Sequence, residues 1–283
     1  MTLRKILHTL FSAAAFAAAL VVVAPAPSAA AQTTNKRKIV VAKPDLEKIR
    51  TATLDPASPM YFPKLMAKYN RNDTTMTSDE YRNLYLGYMF QEDYDPYRTS
   101  PYSGVTDDLR LKTTHTKEEI DTIRKYAELS LRDNPFDLRQ MSFLVHVLKE
   151  KRKDMSAKIW EYRLEHLLGA IKSTGTGESE ADAWFVIYPM HEYDMVQLLG
   201  YEATDAQLTD NGFDYLTVIP DGTAGRRAGS KDTKGFYFNV TVPQRQYELK
   251  HPEGPEDEEI PAEEPSGSIP SEDSDPDDIP AEE

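Results

Sequence analysis

The chain has 283 residues, 47 acidic against 33 basic, and no cysteine. The missing thiol excludes disulfides, lipid attachment at a signal-peptide cut, thiolate catalysis and cysteine-bearing zinc sites, so the fold must rest on its core. The formal charge of −14 belongs to the end of the chain: fourteen acids and no base fall in 251–283, leaving 33 acids against 33 bases before it.

The chain opens with Arg4 and Lys5 ahead of an apolar run from Ile6 to Val23, followed by Pro25, Pro27 and an alanine cluster. A positive start, a greasy segment and the small residues Ala29 and Ala31 predict a secretory signal peptide over 1–31, cut between Ala31 and Gln32. The run is long enough to span a bilayer, but its alanine content and A-x-A ending predict removal. No later segment approaches a span, so the mature product is expected to be soluble, in the periplasm or secreted. Residues 32–42 read as a linker and 43–250 as a single α+β domain.

Helical signals dominate the first three quarters of that domain. Thr77-Ser-Asp-Glu80 has the form of a capping box, and Tyr81, Leu84, Tyr85 and Tyr88 follow at spacings that place them on one helical face. Pro96 and Pro101 then break the pattern and predict an irregular loop carrying Tyr94, Tyr97 and Tyr102 beside Asp93 and Asp95. These three tyrosines either cover an edge of the core or form a surface for a sugar or peptide, since tyrosine is large, stiff and amphipathic.

Three helices are predicted next, over about 117–131, 136–151 and 155–172. The Asp133-Asn134-Pro135 junction is read as cap and first turn of the second. Ile123, Ala127 and Leu131, then Leu144, Val147 and Leu148, then Ile159, Leu164, Leu167 and Leu168 read as facing seams of stacked antiparallel helices. The Asn134-Pro135 junction and Ala157 resemble a tetratricopeptide unit. Only about one and a half units are visible, where an array wants about three.

After the loop STGTGES, β-rich runs are predicted over 183–188, 213–219 and 235–242, with a short helix over 191–200 closed by Gly200. The fold class is therefore mainly helical, a helical-repeat-like bundle, with a small, mostly antiparallel C-terminal sheet. The glycine-rich stretch Asp221–Gly235 lacks the G-K-[ST] of a phosphate loop and leads into a strand, so it reads as a long connection between paired strands. From His251 onward come seven prolines and, besides them, only Ile260, Ile269 and Ile279 as large apolar residues. Such a segment buries too little to fold and is expected to be a disordered acidic tail, either solvating or a cation-binding or partner-docking arm.

Catalytic signatures fail one by one. His191-Glu192 is not followed by a second histidine at metalloprotease spacing, and His146, His166 and His191 have no spacing that requires them to meet. There is no G-x-S-x-G elbow. Asp93 with Asp95 and Glu192 with Asp194 are pairs two residues apart, with nothing to hold them across a cleft. Asn239-Val240-Thr241 matches a glycosylation triplet inside a predicted strand. No catalytic, cofactor or metal residues are assigned, and no cofactor or nucleic-acid partner is expected.

Five blocks carry a resemblance: PDLEKI from Pro44, the run from Ser58 to Tyr97, AELSLRDNPFD over 127–137, HEYDMVQLLGY from His191, and GFYFNVTV from Gly235. Over about 43–242 the chain resembles a domain-of-unknown-function family of secreted proteins from Bacteroidetes-type bacteria. The resemblance implies an envelope setting and a single unit of helices and sheet. It assigns no activity, so no residue inherits a role. The function expected is non-catalytic binding of an envelope protein, peptide or glycan, with Tyr94, Tyr97 and Tyr102 as the candidate surface. The alternative is a hydrolase of an envelope polymer using Asp93, Asp95, Glu192 or His191.

Overall fold

The structure is a computed structural model describing residues 40–222 and 233–251. The predicted signal peptide, most of the linker, the middle of the glycine-rich stretch and the acidic tail beyond His251 lie outside the described residues.

Side-chain oxygens start four of the helices by accepting amide protons that a first turn leaves free. Asp45 caps α1 (Leu46–Leu54) through the Lys48 amide at 3.0 Å. Thr77 caps α3 (Ser78–Gly87), accepting from the Glu80 amide at 3.1 Å while Glu80 accepts from the Thr77 amide at 2.7 Å, so the predicted capping box is formed. Thr116 and Glu119 build a second reciprocal box at the start of α5 (Lys117–Asp133). Asp137 caps α6 (Leu138–Glu150) through the Gln140 amide at 2.9 Å. That last cap corrects the reading of the Asp133-Asn134-Pro135 junction: Asn134 ends α5, Pro135 bridges, and the cap comes two residues later. The remaining helices are α2 (Phe62–Asn70), the single turn α4 (Asp107–Arg110), α7 (Asp154–Lys172), α8 (Met190–Leu198) and α9 (Thr241–Lys250).

Helices α5, α6 and α7 pack in succession, and α7 packs in turn on α3, which also meets α1 and α2. The predicted stripe of Tyr81, Leu84, Tyr85 and Tyr88 is buried throughout. Of the predicted seams, Ile123, Ala127, Leu144, Val147 and Leu167 are buried, but Ile159 faces solvent because α7 turns its Ala157 and Leu164 side inward instead.

The sheet has four strands where the sequence pattern predicts three, in the order β1-β4-β3-β2. They are β1 (Trp184–Phe185), β2 (Tyr201–Leu208), β3 (Phe213–Pro220) and β4 (Gly235–Asn239). Strands β2, β3 and β4 pair antiparallel, whereas β1 runs parallel to β4, with Trp184 opposite Phe238. The sheet is thus mixed. Leu216, Val218, Phe236 and Phe238 turn inward, the half-buried alternation that the sequence pattern of β4 carries. The predicted strand over 235–242 ends early at Asn239. There the side-chain oxygen takes the Thr241 hydroxyl at 2.7 Å and turns the chain into α9. Asn239 of the glycosylation triplet is buried and engaged in this way. Gly200, at φ +93°, stops α8 as expected, since a left-handed residue after a helix is strained for anything but glycine. Helix α8 is packed against β2 and against α6, which joins sheet to bundle and brings two helix starts side by side.

Candidate binding cleft

The segment after α3 crosses those two helix starts. A 3₁₀ turn over Tyr88–Phe90 carries the chain inward, and Tyr94 follows it into the core. Its ring is 1% exposed and stands edge-on to Tyr88 at 5.4 Å, and its hydroxyl donates to the carbonyl of Ile187. Tyr94 is therefore withdrawn from the expected ligand surface, because a buried acceptor satisfies its polar end and leaves nothing to offer solvent. Tyr97 is 52% exposed and meets Tyr247 of α9 edge-on at 4.9 Å. Tyr102 is 38% exposed and lies over Tyr126 of α5, with 6.5 Å between centroids. Of the three, Tyr97 alone lines the cleft described next, so they do not make one platform.

That cleft, of about 410 Å³, lies between the 96–110 segment and the N-terminal ends of α6 and α8. Its walls bring three arginines, Arg98, Arg110 and Arg139, against three aspartates, Asp107, Asp137 and Asp194. Arg139 Nε donates to Asp194 at 3.1 Å, Arg110 pairs with Asp107, and Arg98 reaches out to Asp133. Burial pushes the Asp194 carboxyl up to about 6 against the pull of Arg139, and burial likewise raises Asp137. Burial, then the like charge of Arg139, lowers the Arg110 guanidinium. Two polar atoms of this wall have no partner among the described residues: Nη1 of Arg110 and Oε1 of Gln140, the latter on a side chain whose Nε2 donates to Ser103 at 2.9 Å.

His191 also lines the cleft, yet both its ring nitrogens are committed. Nε2 lies 3.0 Å from the carbonyl of Phe136, which only accepts, so that nitrogen carries the proton. Nδ1 then accepts from the Tyr85 hydroxyl at 2.7 Å. Burial pushes its pKa down to about 3, and the ring is neutral. A lone pair capped in this way is not a general base. Glu192 is buried on another side of α8 and does not line the cleft. Burial and the charge of Asp214 drive its pKa well up, so it is protonated and donates to Asp214. Asp93 is exposed, and Asp95 accepts from the Tyr97 amide at 2.9 Å. Of the four groups considered for hydrolysis, only His191 reaches this cleft.

His146, His166 and His191 have separate surroundings. His166 donates from Nδ1 to Tyr162, with the two ring centroids 3.9 Å apart. The residues that do converge, Arg110, Arg139, Gln140 and Asp194, come from three elements without common spacing. The only trace of them in the sequence is the Asp137 cap, which places residues two and three further on at the mouth of α6.

These features define an α+β domain with a cleft at two helix starts whose charged lining residues balance. Residues 47–249 match the model of a domain of unknown function, DUF4919, and the chain belongs to that family. No curated protein and no solved structure is similar enough to match it. No helix among the described residues is long and apolar enough to cross a membrane.

Proposed function

We propose that the domain is a non-catalytic binding module acting in the periplasm or outside the cell, after removal of residues 1–31, and that it holds a peptide segment or glycan in the cleft. The observation that carries this reading is the unpartnered pair at the wall, Arg110 Nη1 and Gln140 Oε1. A buried donor or acceptor left unmade costs about 1–3 kcal/mol. A peptide segment carries carbonyls for a guanidinium and N–H groups for a glutamine oxygen, and a glycan carries hydroxyls that serve as either, so both ligand classes suit a wall that holds one donor and one acceptor unmade. Three arginines against three aspartates favour a neutral, dipolar ligand over a polyanion. Tyr97 at the rim supplies a flat, amphipathic contact. The tetratricopeptide-like grammar of 129–167 and a Bacteroidetes-type origin belong to the same proposal, since paired helices commonly present grooves to partners.

The test is to probe peptide and glycan arrays with the mature chain beginning at Gln32, beside Tyr97→Ala and Gln140→Leu. Signals that both substitutions weaken at least tenfold support the cleft; array signals indifferent to both remove it. N-terminal sequencing of the exported protein checks the cut.

The alternative, hydrolysis of an envelope polymer, draws support from one feature, the proton shared between Glu192 and Asp214. Turnover of an envelope polymer that disappears in Glu192→Gln would replace the binding reading.

A further inference from the structure

A second cluster, independent of the cleft, forms where the chain enters α5. His146 and Glu150 stand one turn apart on α6, and His115 is laid across them from the segment between α4 and α5. One donor atom from each, Nδ1 of His115, Nε2 of His146 and a carboxylate oxygen of Glu150, lie within 4.8 Å of one another. The sequence hides this set because 31 positions separate the two histidines and only His146 and Glu150 share a helical spacing.

The cluster leaves one of its nitrogens without a hydrogen-bond partner among the described residues. Nε2 of His115 lies 2.9 Å from the carbonyl of Leu109 and therefore carries a proton. Nδ1 of the same ring stands 2.8 Å from Oε2 of Glu150. The carboxylate cannot swing away cheaply, because its other oxygen accepts the His115 amide at 2.7 Å. Nε2 of His146, 3.9 Å from the same Oε2, is buried and has no hydrogen-bond partner among the described residues. A divalent cation between the three groups would give His146 Nε2 a partner and take His115 Nδ1 and Glu150 Oε2 as its other donors.

We propose that His115 Nδ1, His146 Nε2 and Glu150 Oε2 bind a divalent transition-metal ion of the zinc class. Two imidazoles and one carboxylate suit zinc, whose bonds to nitrogen and oxygen are about 2.0–2.2 Å. Tetrahedral donors at that radius stand about 3.3 Å apart, so His146 Nε2 closes by about 0.6 Å on the carboxylate and by at most about 1.5 Å on His115 through rotation of its side chain. The Leu109 carbonyl on His115 Nε2 is the outer contact that fixes a ligating ring in one tautomer. Glu150 is about a quarter exposed, which leaves water a route to a fourth position. The bound ion ties the 107–116 segment, which also supplies Arg110 to the cleft, onto α6.

The experiment uses the full mature chain, stripped with chelator and titrated with Zn²⁺ and with Co²⁺. One equivalent of Zn²⁺ is expected to raise the melting temperature and to shift the imidazole ¹⁵N resonances of His115 and His146 while leaving those of His166 and His191 in place. One equivalent of Co²⁺ is expected to give the visible bands of a four-coordinate ion. His146→Gln and His146→Leu should each weaken binding at least tenfold with an unchanged far-ultraviolet spectrum. The absence of one-to-one binding by the unsubstituted protein overturns the proposal. So does binding that leaves the His115 and His146 resonances unmoved, the pattern expected of cations gathered by surface or tail carboxylates.

Discussion

The hydroxyl of Tyr85, in the last turn of α3, stands 2.7 Å from Nδ1 of His191 in the first turn of α8 and also accepts the Ile187 amide at 3.2 Å. One phenol thus satisfies two groups from the far side of the core, 102 and 106 residues along the chain. Tyr85→Phe leaves both unmet in a region closed to water, and equilibrium urea unfolding should show a loss of about 1–3 kcal/mol. A loss below a few tenths would mean that the contact does not hold α8 to the bundle.

His191 carries a pH signature of known sign. Its pKa is pushed down to about 3 by burial, below the ordinary value of 6.5, so the folded state stays neutral while the unfolded chain takes up a proton. Its stabilising contribution is complete above pH 6.5 and is lost as pH falls toward 3. Between about pH 7 and about pH 4.5 that loss amounts to about 2–3 kcal/mol. The stability difference between wild type and His191→Gln should therefore shrink by about this amount over the interval, and a constant difference would refute the assignment.

Glu192 has the opposite sign. Its raised pKa means that the folded protein holds a proton the unfolded chain has released, so its contribution is full below about pH 4.5 and lost as pH rises. Glu192→Gln replaces the acid with an amide that can donate to Asp214 at any pH. The variant should be more stable than wild type at about pH 8, by on the order of 4 kcal/mol, and equal to it at about pH 4. A destabilised variant at the higher pH would show that the glutamate is ionised there.

Helices α3, α5, α6 and α7 are readable in the sequence because local chemistry decides them. Thr77 with Glu80 is a start signal complete within four residues, and the stripe from Tyr81 to Tyr88 reports its own buried face. Strand β2 is not readable, since YEATDAQL is mostly exposed and has no apolar alternation; its place is fixed by pairing with β3, a fact about another segment. The cleft is hidden for a similar reason. Arg110, Arg139 and Asp194 meet only because α8 docks on α6, and no spacing along the chain encodes that contact. Tyr94 escapes a sequence reading because a loop between prolines looks solvent-exposed, while the carbonyl of Ile187, 93 residues away, gives its hydroxyl a partner.

The contrast between Tyr94 and Tyr97 makes a paired test. Tyr94→Phe removes the donor to Ile187 from the core and should cost about 1 kcal/mol by urea unfolding. Tyr97→Ala, at an exposed ring, should stay within about 0.5 kcal/mol while altering the ligand profile of the cleft. Equal stability effects from the two would contradict their placement.

Two glycines give the sharpest contrast in backbone demand. Gly177 has φ +73°, and a Cβ added there meets the ring of Trp184 at 2.9 Å, the same ring that stacks on Phe236 at the start of β4. Alanine would add a left-handed strain of about 1–2 kcal/mol and would displace an indole whose Nε1 donates to Gly175. Gly177→Ala should therefore lose about 2–4 kcal/mol and shift the tryptophan emission. Gly169 lies within α7, and a methyl group added there would have nothing within 4 Å, so alanine should gain up to about 1 kcal/mol from helix propensity alone. If both substitutions moved stability in the same direction, the close approach of Gly177 to Trp184 would not be what seats β1 against β4.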